Sequence, residues 1–178
     1  MGISISWLAV RGAERDVVLE ALGLAETGER DELPAESPIQ GAGLADDWYV
    51  VVFDQYGHAL MNDDTLRRVS EVGEVIAGME EEHVMCSFSC VWQHGQRVWS
   101  AMHDAQLGIG HLEVEGQLPR GFDQIRDHLL SQQDAQGGSE ADVDYVYAIP
   151  LDTAKLVSGF SWSETEPEDG FAVLRRVE

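Results

Sequence analysis

A cysteine and a histidine near the middle of the chain are the residues best suited to chemistry. Cys86 and His103 fall on two strand-like segments that flank Gln93-His94-Gly95-Gln96, a turn sequence with glycine in its last central place. Simple pairing across this turn puts Cys86 opposite His103, and cross-strand neighbours have Cβ atoms about 5 Å apart. An imidazole at that distance favours the thiolate, so the pair is a candidate nucleophile with its base.

The same pair also fits a purely structural role. A nucleophilic cysteine needs a third group that orients the base, and Asp104 points to the opposite face of the strand from His103. A small buried thiol beside a histidine at the end of an aromatic face is therefore the favoured interpretation. The sequence predicts no catalytic residue beyond these two candidates.

Metal ligands of the right types stand near the hairpin, because histidines and carboxylates at strand ends can converge. The histidines among them are His83, His103 and His111. The carboxylates are Glu80, Glu81, Glu82 and Asp104. No pair has a diagnostic ligand spacing, and chance neighbours are expected among 33 acidic residues. We therefore expect no metal and no cofactor.

Aromatic residues of the hairpin are candidate ligand contacts. Simple pairing places Trp92 and Trp99 on one face, where with His111 they could form the floor of a ligand pocket. Aromatic residues on a sheet that is covered by helices more often belong to the core. The core is the interpretation that we favour for them.

The charge of the chain bears on its partners. Thirty-three acidic residues against eleven basic ones give a formal net charge of −22. Such a surface repels phosphate backbones and anionic lipid headgroups, which predicts that the protein binds neither nucleic acid nor membranes. It attracts a cationic protein, for which Glu80, Glu81 and Glu82 are candidate contacts. The alternative is that the charge serves solubility or reflects a salty cytoplasm.

The elements that position these residues are predominantly strands. With 178 residues the chain fits one domain spanning residues 1–178. Periodicity predicts strands at 3–9, 48–53, 75–79, 86–92, 97–104, 111–115, 143–149 and 171–177. It predicts helices at 13–22 and 62–72, one from 119 to before 137, and a short one around 156–160. Residues 25–47 are expected to be mostly irregular, with room for one short edge strand. The fold class is α+β: a mainly antiparallel sheet, a meander with hairpin 86–104, with about four helices packed on one face.

The cysteine content favours a reducing compartment. Cys86 and Cys90 are the two cysteines, and on one strand they would be about 13 Å apart, beyond the roughly 7 Å that a disulfide allows. The N-terminus lacks a basic segment followed by an apolar one, and no apolar run approaches about 20 residues. We therefore expect a cytoplasmic protein.

Several segments resemble a group of uncharacterised bacterial proteins of similar length. The segments are 6–12, 81–85, 98–100, 103–104 and 111–116. The resemblance covers most of the chain and includes no motif with assigned chemistry. It implies a bacterial origin.

These observations favour a non-enzymatic protein-binding domain, of the kind in which an acidic immunity or inhibitor protein recognises a basic toxin or nuclease. One alternative is a small-ligand-binding protein or hydrolase-like enzyme that uses Cys86, His103 and His111. Another is a housekeeping domain whose acidity is set by its environment. Phosphate-binding loops, dinucleotide fingerprints and nucleophile elbows are missing from the sequence, which lowers the expectation of an enzyme.

Overall fold

A nine-stranded antiparallel sheet forms the centre of the computed structural model, which describes residues 2–177. In chain order the strands are β1 (Ser4–Arg11), β2 (Leu24–Asp31), β3 (Ile39–Gly43), β4 (Trp48–Phe53), β5 (Glu74–Glu81), β6 (Cys86–Gln93), β7 (Gln96–Asp104), β8 (Glu113–Gly116) and β9 (Phe171–Arg176). Across the sheet their order is β2-β9-β3-β4-β1-β5-β6-β7-β8. The α+β class with a mainly antiparallel sheet is thereby confirmed.

Within residues 2–177, three helices pack on the sheet and a fourth packs on one of these helices. They are α1 (Arg15–Leu22), α2 (Asp63–Val69), α3 (Phe122–Ala135) and α4 (Ala148–Ser158). Helices α1 and α2 pack on one face through Val18, Leu66 and Val69, while α4 packs on the other through Ala154. The prediction of helices on one face is therefore wrong.

The buried centre of the sheet explains why helices are needed on both faces. Every residue of β4 is buried, as the apolar run at 48–53 predicts. Val51 and Phe53 face α1 and α2, whereas Val50 and Val52 face α4. One layer of helices could cover only half of these side chains.

Helix α1 ends and helix α2 begins where the sequence predicts, whereas α1 begins only at Arg15 and α2 already ends at Val69, before the predicted end at Val72. The Asn62 side chain accepts a hydrogen bond from the Thr65 amide at 2.9 Å, which caps α2. Helix α1 ends at Gly23, whose φ of 67° lies in the left-handed region that glycine adopts without strain.

The segment 25–47 is more regular than predicted, because it contains most of β2 and all of β3. Strand β2 is an edge strand whose middle is exposed, so it has no apolar alternation to detect. Its partner is β9, which inserts between β2 and β3. These strands are held by backbone pairing with a segment more than a hundred residues away.

The hairpin exists, but its register differs from simple pairing. His94 and Gly95 both have positive φ, as a two-residue type I′ turn requires. Trp92 pairs with Arg97 as predicted, but Val91 pairs with Trp99, so Val98 is the extra residue of a β-bulge. Beyond the bulge every pair moves by one residue.

The strand predicted at 143–149 is wrong. Asp144 Oδ1 accepts a hydrogen bond from the Tyr147 amide at 3.0 Å, which makes a turn. Helix α4 then begins at Ala148, with Pro150 in its first turn, where proline is tolerated because the missing N–H has no partner there. Val146 and Ile149 are buried three residues apart, which is helical spacing.

Candidate functional site

His103 and His111 form a hydrogen-bonded network with Asp144. His103 is fully buried; its Nδ1 donates to the His111 carbonyl at 2.6 Å and its Nε2 lies 2.8 Å from Asp144 Oδ2. His111 Nδ1 accepts from the Asp104 amide at 3.0 Å, and its Nε2 donates to Glu113 at 3.1 Å. Because all four ring nitrogens have protein partners, the network is organised as structure, with no nitrogen directed at a ligand.

Cys86 is not the neighbour of His103. The bulge at Val98 pairs Cys86 with Asp104 and Ser87 with His103. Cys86 and His103 therefore lie on opposite faces of the sheet. The Cys86 thiol instead lies 3.3 Å from the Tyr56 hydroxyl. The predicted nucleophile and base are not in contact, so the pairing on which they depended is wrong.

The two tryptophans of the hairpin are also separated by the sheet. Trp92 belongs to the core that faces α1 and α2, and Trp99 to the core that faces α4. Both are buried, at 7% and 3% exposure. The prediction that they share one face is wrong, and the same bulge is the reason.

The acidic run after β5 is divided among different environments. Glu80 is only 5% exposed and lies on the face that α4 covers. Glu81 is paired with His83. Glu82 accepts a hydrogen bond from the Ile3 amide at 3.0 Å. The three residues therefore do not form one exposed patch, and Glu80 is the unusual member.

Glu80 lines a small cavity between the sheet and α4, which we call the Glu80 pocket. Its volume is about 170 Å³. The aromatic side chains that line it are Trp7, Tyr147, Phe160 and Trp162; the charged ones are Glu80, Asp152, Lys155 and Glu164. The pocket thus combines aromatic walls with three carboxylates and one ammonium group.

Local packing explains how the pocket is built. Trp7 lies against Gly78, where a Cβ would overlap the indole, and it contacts Phe160 edge-on with ring centroids 4.9 Å apart. On β6, next to Glu80, the Ser87 and Ser89 hydroxyls each donate to a carbonyl at the start of α4, at 2.7 Å. These two hydrogen bonds fix the height of α4 above Glu80.

Burial raises the pKa of Glu80 to about 7. The indole N–H of Trp162 opposes this rise, the charge of Glu82 adds to it, and the phenol of Tyr147 opposes it more weakly. The Tyr147 hydroxyl is itself buried and completes no hydrogen bond of normal geometry. The pocket therefore contains a carboxyl group poised near neutrality beside a polar group that lacks a full partner.

The mouth of the pocket is acidic. Lys155 is held by Glu164 at 2.6 Å, so its charge is already neutralised. Partial desolvation raises the pKa of Asp152, with Lys155 acting against the rise and Glu164 adding to it. Glu164 belongs to the segment 161–170, which we call the acidic loop.

The acidic loop also borders a larger open groove of about 720 Å³ near β3. Glu166 and Glu168 line it together with Arg15 and Arg30. Both arginines are already engaged: Arg15 pairs with Glu26 at 3.2 Å, and Arg30 donates to the Asp169 carbonyl at 2.7 Å. Arg30 therefore anchors the loop to β2.

Tyr49 adds a second buried hydroxyl at this groove. The side chain is 6% exposed and its hydroxyl has no hydrogen-bond partner. A Cβ at Gly41 would overlap that hydroxyl, so the glycine makes the room for it. Burial raises the pKa of Tyr49 to about 12, and Glu26 adds to the rise.

Within residues 2–177, no three histidine, cysteine, aspartate or glutamate side chains converge as a metal site would require. In the same range, no helix is long and apolar enough to cross a membrane. Comparison with protein-family models, curated proteins and solved structures gives no match to this chain.

Sequence reasoning missed the residues that define the pocket. Alternation along 143–149 places Tyr147 in a strand, and Trp162 lies in a loop without periodicity. The sequence identifies Glu80 as a candidate partner contact and metal ligand but not as a buried pocket residue, although alternation along β5 puts it on the same face as Ile76, which belongs to the core. Because Glu80 belongs to a run of three glutamates, the sequence pattern indicates an exposed residue like its neighbours.

Proposed function

We propose that this protein is a non-enzymatic binding domain that recognises a basic protein, as an acidic immunity or inhibitor protein does. The observation that carries the proposal is the acidic loop, which borders both the Glu80 pocket and the open groove. A partner that lies along this loop would contact both cavities at once. Two free thiols, Cys86 and Cys90, agree with a reducing cytoplasm as the setting.

The distribution of ion pairs supports a cationic partner. Within residues 2–177, six of the eleven basic residues are already paired with carboxylates: Arg11, Arg15, Arg67, Arg97, Arg126 and Lys155. Few positive charges remain to neutralise the excess of acids. Long-range attraction then steers a basic protein toward the surface.

The acidic loop carries part of this excess on exposed side chains. Glu166, Glu168 and Asp169 are exposed, and within residues 2–177 none of the three side chains forms an ion pair. Arg30 holds the loop through two backbone carbonyls, at 2.7 and 3.3 Å, and so does not occupy these three carboxylates. A fixed backbone with free acids suits recognition of lysine and arginine side chains, because little conformational freedom is lost on binding.

The hydrolase-like alternative has less support. It requires Cys86 and His103 to act together, and they lie on opposite faces of the sheet. His111 has both ring nitrogens occupied. The housekeeping alternative predicts no selective partner, which the following experiment tests.

The test compares three forms of the protein as bait for the proteins of its native cytoplasm at physiological salt. One is the natural chain, and one carries Glu166→Gln, Glu168→Gln and Asp169→Asn. The third carries the matched changes Glu20→Gln, Glu71→Gln and Asp134→Asn at exposed sites elsewhere. Captured proteins are quantified by mass spectrometry.

We expect one basic protein to be enriched by the natural chain and the matched control, and lost with the loop variant. Equal loss of this protein in both variants would mean that it binds by non-specific charge attraction and not at a defined site. Equal retention in both would exclude the acidic loop. If no basic protein is selectively enriched, the proposed function is wrong.

A further inference from the structure

The Glu80 pocket is too small for a large ligand. Its volume of about 170 Å³ is below the roughly 300 Å³ at which pockets for drug-sized ligands begin. It is larger than the roughly 30 Å³ that one water molecule occupies in the liquid. The size suits the end of a single amino-acid side chain or a small amine.

Aromatic rings form much of the wall. Trp7 and Phe160 are almost fully buried and close the inner end, while Trp162 is half-buried toward the mouth. A cation within about 6 Å of such a ring is attracted by its negative face, and tryptophan is the strongest of the three types. Aliphatic stems also pack well against these rings.

The acceptor groups of the pocket are not saturated with hydrogen-bond donors. The Glu80 side chain is only 5% exposed. Its two oxygens can accept more hydrogen bonds than the Trp162 indole provides. The Tyr147 hydroxyl can also accept one. A ligand with several N–H donors and a positive charge would satisfy both groups.

We propose that the Glu80 pocket binds the ammonium or guanidinium group of one lysine or arginine side chain of the partner. This step rests on the proposed function and names the anchor of that interaction. Glu80 neutralises the cation, Trp162 covers its stem, and Glu164 marks the entrance. The neighbouring acidic loop contacts the rest of the partner.

The chemistry predicts a pH dependence, because a cation binds a carboxylate in preference to a carboxylic acid. The charged and titratable groups that face Glu80 from the surrounding elements are Glu82, Tyr147, Asp152, Lys155 and Glu164. With the pKa of Glu80 at about 7, affinity should rise up to about tenfold per pH unit below neutrality and level off above it. Binding should release a proton, which calorimetry in buffers of different ionisation enthalpy measures.

The experiment uses the full chain and four probes. Two are n-butylammonium and the capped tripeptide acetyl-Gly-Lys-Gly-amide. The other two are their neutral counterparts, n-pentanol and the same peptide with norleucine. Binding is followed by calorimetry and by NMR shifts of the Trp7 and Trp162 indole N–H groups.

We expect both cationic probes to bind and both neutral ones to fail. Glu80→Gln should weaken binding by roughly tenfold to a hundredfold at high pH and remove the pH dependence. Glu20→Gln, which removes one exposed charge on α1, should change neither the affinity for the cationic probes nor its pH dependence. Trp162→Phe should retain binding and Trp162→Leu should lose it, which keeps the test valid if Glu80→Gln affects folding.

Three outcomes would overturn the proposal. Binding of neither cation, or equal binding of the neutral probes, would exclude the pocket as a cation site. Binding of n-butylammonium without the lysine peptide would assign the pocket to a free amine. The acidic-loop variants test the proposed function separately, since a basic partner could still require the loop when the pocket is not used.

Discussion

At the scale of single residues, two buried carboxyl groups on the α4 side of the sheet have opposite surroundings. Asp144 is fully engaged, with one oxygen on His103 and the other on the Tyr147 amide. Glu80 faces a cavity and is only partly satisfied. A structural carboxylate should stabilise the fold, whereas a carboxylate kept for a ligand should cost stability when the ligand is absent.

The first prediction concerns the stability that the protein loses when the buried Glu80 side chain is ionised. Its pKa is raised from 4.5 to about 7, so its favourable contribution is complete below pH 4.5 and is lost as pH rises through 7. Glu80→Gln should therefore have little effect near pH 4.5 and stabilise the protein by about 3 kcal/mol above pH 8. Urea denaturation across this pH range measures it.

Glu81→Gln is the matched control on the adjacent residue. Hydrogen bonds from Ser4 and His83 lower the pKa of Glu81. Its contribution is present above its unfolded pKa and is lost as pH falls, so removing it should destabilise the protein at neutral pH and not in acid. The same pH profile for both variants would contradict the assigned environments.

The second prediction concerns Asp144. Asp144→Ala would leave His103 Nε2 buried without a partner and remove the cap on the Tyr147 amide. The expected loss is about 3 to 5 kcal/mol in the free energy of unfolding, because one member of a buried pair is removed. The exposed neighbour Asp142→Ala should change it by less than about 0.5 kcal/mol. A small effect at Asp144 would mean that the histidine network does not support the fold.

At the scale of the elements, one inserted residue decides which side chains meet. Val98 bulges from β7, and beyond it Trp99, Ala101 and His103 face α4 instead of α1 and α2. Period-two alternation does not reveal this bulge, because Val98 and Trp99 are both apolar and the alternation on either side of them is intact. The turn at His94-Gly95 was predictable from its residue types, and the pairing beyond the bulge was not.

The same limit explains the other errors at this scale. Strand β4 was predictable because both of its faces are buried and apolar. Strand β2 is exposed and polar, and its ladder depends on β9 at the other end of the chain. The residues before α4 alternate like a strand in sequence, but the Asp144 side chain holds them in a turn from which α4 starts. The Glu80 pocket combines β5, α4 and the acidic loop, so no local pattern could predict it.

The third prediction tests the corrected face of the hairpin. Trp99 is 3% exposed in the core that faces α4. Trp99→Ala should destabilise the protein by about 3 to 5 kcal/mol, because a large cavity would remain. Leu107→Ala, at a side chain that is 64% exposed, should cost less than about 0.5 kcal/mol. The urea midpoint measures both, and a shift of under about 1 kcal/mol at Trp99 would contradict its burial.

At the scale of the whole molecule, a formal charge of −22 acts on folding and on association in opposite ways. Repulsion among the acids destabilises the compact state, while the same field attracts a basic partner. Both effects weaken beyond the screening length of about 8 Å at physiological salt. Changing the salt concentration therefore separates a charge that serves recognition from one that serves solubility alone.

The last prediction follows from these opposite signs. Added neutral salt should raise the melting temperature of the free protein, most steeply at low ionic strength, because it screens the repulsion among carboxylates. Over the same range it should lower the association rate with the basic partner, since exposed charges act chiefly on encounter. Differential scanning calorimetry and stopped-flow binding measure the two responses.

In the variant with Glu166→Gln, Glu168→Gln and Asp169→Asn, the association rate should depend less on salt than in the control with Glu20→Gln, Glu71→Gln and Asp134→Asn. An association rate that does not respond to salt would mean that the acidity does not guide the partner, and the acidic loop would then lose its proposed role.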